Sequence, residues 1–266
     1  MRVETEAKLN LCLAIRGTDG GKHLIDSLFV PAGIKDVVIG EKAENLTVEY
    51  TDGRVYERDT ALLTARAVVE KYSAGGARFL IEKGIPEGAG LGGSSADAGA
   101  VAKIYRFLYG IEEIDVGLLS EISSDAPYFY RGGAARVRGT GEIFEETVVP
   151  ELFKVVLVPR GGVDTGVCYG LYDKIGGEDG DVGEFIRELG KGRLPKPFNA
   201  LRRAAETLNP QIADGIKILE KVGFVAGMTG SGSGVFGIEN DREAYKYKLR
   251  KLTDYTSGFG VYAAKE

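Results

Sequence analysis

The chain has 266 residues, 44% of them apolar and 27% charged, with a formal net charge of −5. That is enough length for one large domain or two ordinary ones, and enough apolar content to bury a core. No cation excess is available to displace counterions from a phosphate backbone, and no apolar run approaches the roughly eighteen residues of a membrane span; nucleic acid and membrane are therefore not expected as partners.

The opening stretch, MRVETEAKLNLCLAI, carries acidic residues and runs directly into strand-like sequence, unlike a signal peptide. Cys12 and Cys168 lie far apart, which fits a reducing, cytoplasmic compartment better than a disulfide or a metal site. His23 is the only histidine, which argues against a histidine-based metal centre or a Ser–His triad. Glycine is the outlier at 39 residues, about twice the usual share. It gathers near residues 84–93, 132–141 and 227–237, and clustered glycine serves specific backbone geometry.

In chain order, residues 3–16 alternate as a strand, and HLIDSLFVPA and DVVIGEKAENLTVEY read as two more. DTALLTARAVVEKYSAGG is a helix with Asp59 as N-cap and Gly75-Gly76 as its stop. ARFLIEKGIP is a short strand that ends at a glycine loop. SSADAGAVAKIYRFLYG is the next helix, capped by Ser94 or Ser95 and closed by Gly110. DVGLLSEISSDAPYFYRGG predicts a short helix, a break and an apolar turn, and AARVRGTGEIFEE two short strands. A boundary is expected near Glu145–Leu152, dividing the chain into 1–148 and 149–266. Beyond it come a strand, FKVVLVPR, and helices near 165–175, 181–190, 197–207 and 210–222. The strand–loop FVAGMTGSGSGVFGI, a helix near 241–253 and a last strand, SGFGVYAAK, complete the series. Strands and helices mix without strict alternation, which indicates α+β with two lobes.

The loop PEGAGLGGSSA, Pro86 to Ala96, invites three readings. A Walker A loop needs lysine after its last glycine, and Ser94 stands there instead. Gly88, Gly90 and Gly93 satisfy G-x-G-x-x-G, but no strand precedes the acidic residues twenty positions on, as a dinucleotide site requires. In the third reading, a tight glycine turn exposes consecutive N–H groups and the following helix adds its positive end, forming an anion cradle that needs no lysine of its own. A capped helix after a flexible turn is the plainer alternative, though it does not call for so many glycines.

PEGAGLGGSSADAGA resembles the phosphate-binding motif of the GHMP kinases, the superfamily of galactokinase, homoserine, mevalonate and phosphomevalonate kinases. AKLNLCLAIRGTDGGKHLIDSLF resembles the first motif of the superfamily's isoprenoid-pathway member, and MTGSGSGVFGI its C-terminal glycine motif. Between them, SSDAPYFYRGGAARVRGTGE, VDTGVCYGLYD and FNALRRAAE stand in the matching order. The resemblance implies a two-lobed fold, with a ribosomal protein S5 domain 2-like N-terminal lobe and a ferredoxin-like C-terminal lobe. It also implies ATP and Mg2+ as cofactors and a cytoplasmic monomer or homodimer acting on a small molecule. The reaction implied is transfer of phosphate to a hydroxyl of a cytidine-diphosphate-linked methylerythritol; another small-molecule kinase of the superfamily, or a nucleotide-binding protein without catalysis, is the alternative.

By the same resemblance Asp125 is the proton acceptor and Lys8 its cationic partner. An ammonium beside a carboxylate favours its ionised form and faces charge developing on phosphate. Locally, Asp125 also reads as a helix N-cap before Pro127, and Lys8 as a strand-edge lysine. The loop residues Pro86, Gly88, Ala89, Gly90, Leu91, Gly92, Gly93, Ser94, Ser95 and Ala96 are assigned to ATP, with Ser95 as the magnesium ligand. Asn10, His23, Gly230, Ser231 and Gly232 are assigned to substrate, His23 to the cytosine ring. Here that histidine follows Lys22, where the family usually has tyrosine, and Ala200 stands where an acidic residue is common. Tyr169 or Tyr172 could supply aromatic stacking.

Overall fold

One long hairpin frames the N-terminal half. In the computed structural model, which describes residues 1–263, β1 (Arg2–Asp19) and β2 (Lys22–Lys42) run antiparallel around a Gly20-Gly21 turn. The sequence predicts two strands where β2 is one, because Pro31 and Gly33 look like a break. They sit instead at an irregularity: Glu6 pairs with Lys35 and Lys8 with Pro31, so Ala32-Gly33-Ile34 bulge opposite Ala7, with Gly33 at φ +79°. A bulge is where a sheet tolerates proline and where it re-aims side chains. A second shift follows between Asn10 and Cys12. The two irregularities release the Lys8 N–H to the Leu91 carbonyl (3.0 Å) and the Asn10 N–H to Thr229 Oγ1 (3.0 Å). The strand is thereby tied to the two glycine loops.

Around this hairpin the first sheet runs β3 (Thr47–Tyr50), β4 (Ala77–Glu82), β2, β5 (Ala135–Gly139), β6 (Ile143–Glu146), with β1 also on β2. The predicted strand over 36–50 is interrupted at 43–46, and β3 pairs parallel to β4. Helix α1 (Thr60–Tyr72) is capped by Asp59, whose carboxylate accepts from the Leu62 N–H at 3.1 Å; it ends at a left-handed Ser73, before the glycines expected to stop it. Helix α2 (Gly93–Tyr109) is buried along most of its length and closes at Gly110. Neither serine caps its start: Gly92, left-handed at φ +77°, takes that position. After α3 (Val116–Ile122), the predicted apolar turn is helix α4 (Ala126–Arg131). It crosses α2 at Gly99, where any β-carbon would come within 2.8 Å of Phe129 and Tyr130 atoms. That close approach sets the position of Asp125 at the start of α4.

The second sheet holds β7 (Phe153–Pro159), β8 (Val225–Met228), β9 (Val235–Glu239) and β10 (Phe259–Ala263) in the antiparallel order β10-β7-β9-β8. With helices α5 (Thr165–Ile175), α6 (Val182–Gly190), α7 (Arg202–Leu208) and α8 (Gln211–Val222) before β8 and α9 (Arg242–Leu252) before β10, this is the ferredoxin-like arrangement. Helix α8 buries Ile212, Ile216 and Leu219, the 4-3 spacing that puts one face on a sheet. The helix expected from 197 begins at 202, because Leu13 donates its N–H to Phe198 O and accepts the Ala200 N–H (both 2.9 Å) across the lobes, a bridge that keeps that segment extended. Ala264 and Lys265, assigned to the last strand by the sequence, lie outside the described residues. The lobes share a core: Leu9, Leu11 and Phe29 of the first sheet cluster with Val156, Phe236 and Ile238 of the second. No helix among the described residues is long and apolar enough to cross a membrane.

Candidate active site

The glycine loop lies in the cleft between the lobes. Gly88, Gly90 and Gly92 all take positive φ (65°, 68° and 77°), an alternation that only glycine adopts at little cost. Among the described residues, no protein acceptor receives the N–H of any residue from Gly88 to Ser95. Ala89, Leu91 and Ser95 are buried and Gly90, Gly92 and Gly93 half-buried; such amides are rarely left unpaired, and a run of them at the mouth of a 17-residue helix makes a candidate anion cradle. Pro86 and every residue from Gly88 to Ser95 line a cavity of about 520 Å³. Ala96 does not reach it: it is buried in α2, its N–H donating to Gly92 O at 2.9 Å.

Lys8, Asn10 and Asp125 meet at one side of this cavity. The Lys8 ammonium is 3.5 Å from Asp125 Oδ2, donates to Asn10 Oδ1 at 2.6 Å, and lies 4.6 Å above the Phe29 ring. Asp125 precedes α4 in an αR conformation and makes no side-chain cap bond; its carboxylate faces the lysine instead. Asn10, expected to contact substrate, lines the cavity but is only 1% exposed, and both ends of its carboxamide bond to protein. Its Oδ1 also accepts from the Gly230 N–H (2.9 Å) and its Nδ2 donates to Ser27 Oγ (2.9 Å).

The C-terminal glycine motif folds against the first loop backbone to backbone. Ser233 and Gly234 donate to Gly88 O and Ala89 O (3.2 and 3.1 Å), and Asn199 Nδ2 donates to Met228 O and Gly230 O (both 3.0 Å). Gly230, Ser231 and Gly232 reach the cavity, and Ser231 shares a hydroxyl bond with Thr165 (2.9 Å). Asn199 was visible in the sequence only as part of FNALRRA, where nothing marks it as the clamp of a distant loop.

A second cavity of about 730 Å³ adjoins the first, and Ile25, Ser123, Ser124, Asp125 and Tyr169 line both. Asp125 therefore stands in the wall between them. Lys22 and His23 line the second cavity. The His23 ring lies 4.6 Å from Tyr169 and 6.1 Å from Tyr172, with Nε2 2.7 Å from Asp173 Oδ1.

Behind the glycine loop, Lys83 sits between Asp36 and Asp97, all three nearly inaccessible, with Asp97 Oδ2 at 2.6 Å. Burial pushes the Asp97 carboxyl well above the usual carboxylate range, against the pull of Lys83, and its Oδ1 has no partner among the described residues. Burial also opposes the Lys83 charge, but the two carboxylates outweigh it and raise its pKa. Lys83, Asp97, Tyr50 and Tyr56 were not expected at the site from the sequence, yet all line the first cavity. Among the described residues no cluster of three His, Cys, Asp or Glu side chains could hold a metal. Ser95 Oγ lines the first cavity beside Ser123 Oγ (2.6 Å); that partner is a rotatable hydroxyl, so the Ser95 lone pairs remain available to a hard cation.

An unpaired amide cradle at a helix start, a carboxylate–ammonium pair beside it and an adjoining cavity are the parts a small-molecule kinase needs. The chain belongs to the GHMP kinases: residues 59–133 match the GHMP kinases N terminal domain and residues 178–253 the GHMP kinases C terminal domain. It is 32% identical over 237 residues to 4-diphosphocytidyl-2-C-methyl-D-erythritol kinase of Thermus thermophilus, covering 87% of this chain and 85% of that one. With the enzyme of the same name from Deinococcus radiodurans it shares 31% identity, over 97% of this chain and 91% of that one. A crystal structure of 4-(cytidine 5'-diphospho)-2C-methyl-D-erythritol kinase superposes with a TM-score of 0.82 at 29% identity, covering 99% of this chain and 98% of the other. Homoserine kinase from Cytophaga hutchinsonii shares the fold (TM-score 0.71, 19% identity, 100% and 94% covered).

Proposed function

We propose that this chain transfers the γ-phosphoryl group of ATP to the 2-hydroxyl of 4-diphosphocytidyl-2-C-methyl-D-erythritol, a step in non-mevalonate isoprenoid precursor biosynthesis. The observation that carries the reading is the position of Asp125, between a cavity floored by unpaired amides and a second cavity large enough for a nucleotide-linked acceptor. Phosphoryl transfer asks mainly for alignment and charge neutralisation. Amides 88–95 bind the polyphosphate, and the aromatic end of the first cavity, with Tyr50 and Tyr56, takes the purine.

Asp125 receives the acceptor's hydroxyl proton, and Lys8 faces the charge that builds on the transferring group. Gly230 and Ser231 close over the phosphates. Asn10 acts by holding Lys8 and Gly230 in place. Ser95 would hold a magnesium ion, which would supply further charge neutralisation. The test is ADP release from ATP and magnesium with a panel of alcohols. Turnover of the cytidine compound is expected; turnover of homoserine or mevalonate in its place would move the chain elsewhere in the superfamily.

A further inference from the structure

Three cationic side chains line the first cavity, and two of them are already committed to protein carboxylates. The Lys8 ammonium faces Asp125 and Asn10, and Lys83 lies between Asp36 and Asp97. Arg58 is the third. It is exposed and has no carboxylate partner among the described residues, and its guanidinium makes one long contact, Nη2 to the Ile122 carbonyl oxygen at 3.5 Å. A contact of that length holds little, so the fork is free to turn toward a ligand. Ile122 lines the second cavity, as do Ser123 and Asp125. Arg58 therefore reaches from the first cavity to the wall in which Asp125 stands.

The backbone that carries Arg58 is held on both sides to the glycine loop. Before it, Arg54 and Tyr56 both donate to the Glu87 carboxylate; after it, Asp59 caps α1 and Thr60 Oγ1 donates to Ser94 O at 2.7 Å. The base of the side chain is fixed beside the start of α2, and its charged end is left uncommitted.

We infer that Arg58 is a further catalytic residue, whose guanidinium contacts the phosphoryl group in transfer on the side away from the amide cradle. The inference rests on the kinase reading above for the reaction. As the acceptor oxygen bonds to the γ-phosphorus, the bond to ADP breaks and ADP leaves with its electron pair. The hydroxyl proton passes to Asp125, and charge spreads over the equatorial phosphoryl oxygens. Backbone amides meet that charge only as dipoles, and Lys8 and Lys83 share theirs with carboxylates. A guanidinium with no carboxylate of its own adds a full charge, in a planar fork that fits two phosphoryl oxygens.

Arg58→Ala and Arg58→Lys test this in the full chain. In ADP release assays, alanine should lower kcat about 10²-fold, the scale of one preorganised transition-state donor, and leave KM for ATP within about threefold. Lysine keeps the charge without the fork and should fall between alanine and the wild type. Millimolar, non-denaturing guanidinium chloride should restore part of the alanine variant's activity and add none to the wild type. Binding supplies a readout that needs no turnover, with ADP and ADP–aluminium fluoride, a mimic of the phosphoryl group in transit, compared in the presence of magnesium. Alanine should weaken the fluoride complex about tenfold more than it weakens ADP. Urea unfolding of the exposed-site variants should match the wild type. Unchanged kcat, equal weakening of the two complexes, or a wild type that binds ADP–aluminium fluoride no more tightly than ADP overturns the inference. If no alcohol is phosphorylated but the fluoride complex still depends on Arg58, the inference stands and the kinase reading falls.

Discussion

The Lys8 ammonium and the Asp125 carboxylate face each other at 3.5 Å from opposite structural origins, one on a bulged strand and the other at the start of a helix. Their meeting depends on two small-residue devices. The irregularity at Ala7 turns Lys8 toward the glycine loop, and Gly99 lets α4 approach α2 closely enough to bring Asp125 within reach. The pair is therefore a product of backbone packing as much as of charge attraction.

Asp125→Asn keeps the shape of this pair and removes the proton acceptor proposed above. Phosphoryl transfer is expected to fall roughly 10²–10⁴-fold, the range of a general base, with the Kd for ATP nearly unchanged. Steady-state ADP release together with nucleotide binding checks both halves. Undiminished transfer would remove Asp125 from the role of base.

Asn10→Ala should act on stability and on the loop at once. It leaves the Gly230 N–H, the Lys8 ammonium and the Ser27 hydroxyl short of a buried partner, a loss on the order of 2–3 kcal/mol. Urea unfolding measures that loss. If Asn10 instead served mainly as a substrate contact, KM would rise while stability stayed near wild type.

Gly90→Ala and Gly110→Ala separate conformational strain from steric conflict. Both positions have positive φ, 68° and 63°, worth about 1 kcal/mol for alanine. A β-carbon at Gly110 meets nothing within 4 Å, but at Gly90 it comes 2.5 Å from the Thr229 carbonyl oxygen, which the backbone contacts between the two loops hold in place. Gly90→Ala should therefore be the more destabilising by chemical denaturation and should weaken ATP binding; Gly110→Ala should leave binding intact.

What the sequence conveyed and what it withheld follow a physical division. Local signals were sound: Asp59 caps α1, Gly110 closes α2, and the glycine loop precedes a helix as its composition required. The serine caps expected for α2 are absent because the loop needs a left-handed residue at Gly92, which leaves the first-turn amides open. The merging of β2 through Pro31 could not be read from β2 alone, since the irregularity that admits the proline is defined by pairing with β1. Asn10 was assigned to substrate, and a short polar residue in a strand next to Lys8 gives no hint of its bond to Gly230, 220 residues away. Lys83, Asp97 and Asp173 were missed for the same reason: each is ordinary in its local segment, and its meaning comes from what tertiary packing sets beside it.

The buried Asp36–Lys83–Asp97 cluster carries two carboxyl groups for one ammonium, and burial raises the Asp97 pKa. At pH values between the ordinary carboxylate range and the raised folded value, the native state holds a proton that the unfolded chain has released, so stability falls as pH rises across that interval, toward about 8. Asp97→Asn removes the titration while keeping the side chain's size. Its unfolding free energy should be flatter with pH between about 5 and 8 than that of the wild type, and the difference should favour the variant increasingly toward the alkaline end. Guanidinium unfolding curves at several pH values supply the measurement. Parallel pH profiles for the two proteins would show that the Asp97 carboxyl has the same proton affinity folded and unfolded, and that Lys83 satisfies both acids at once.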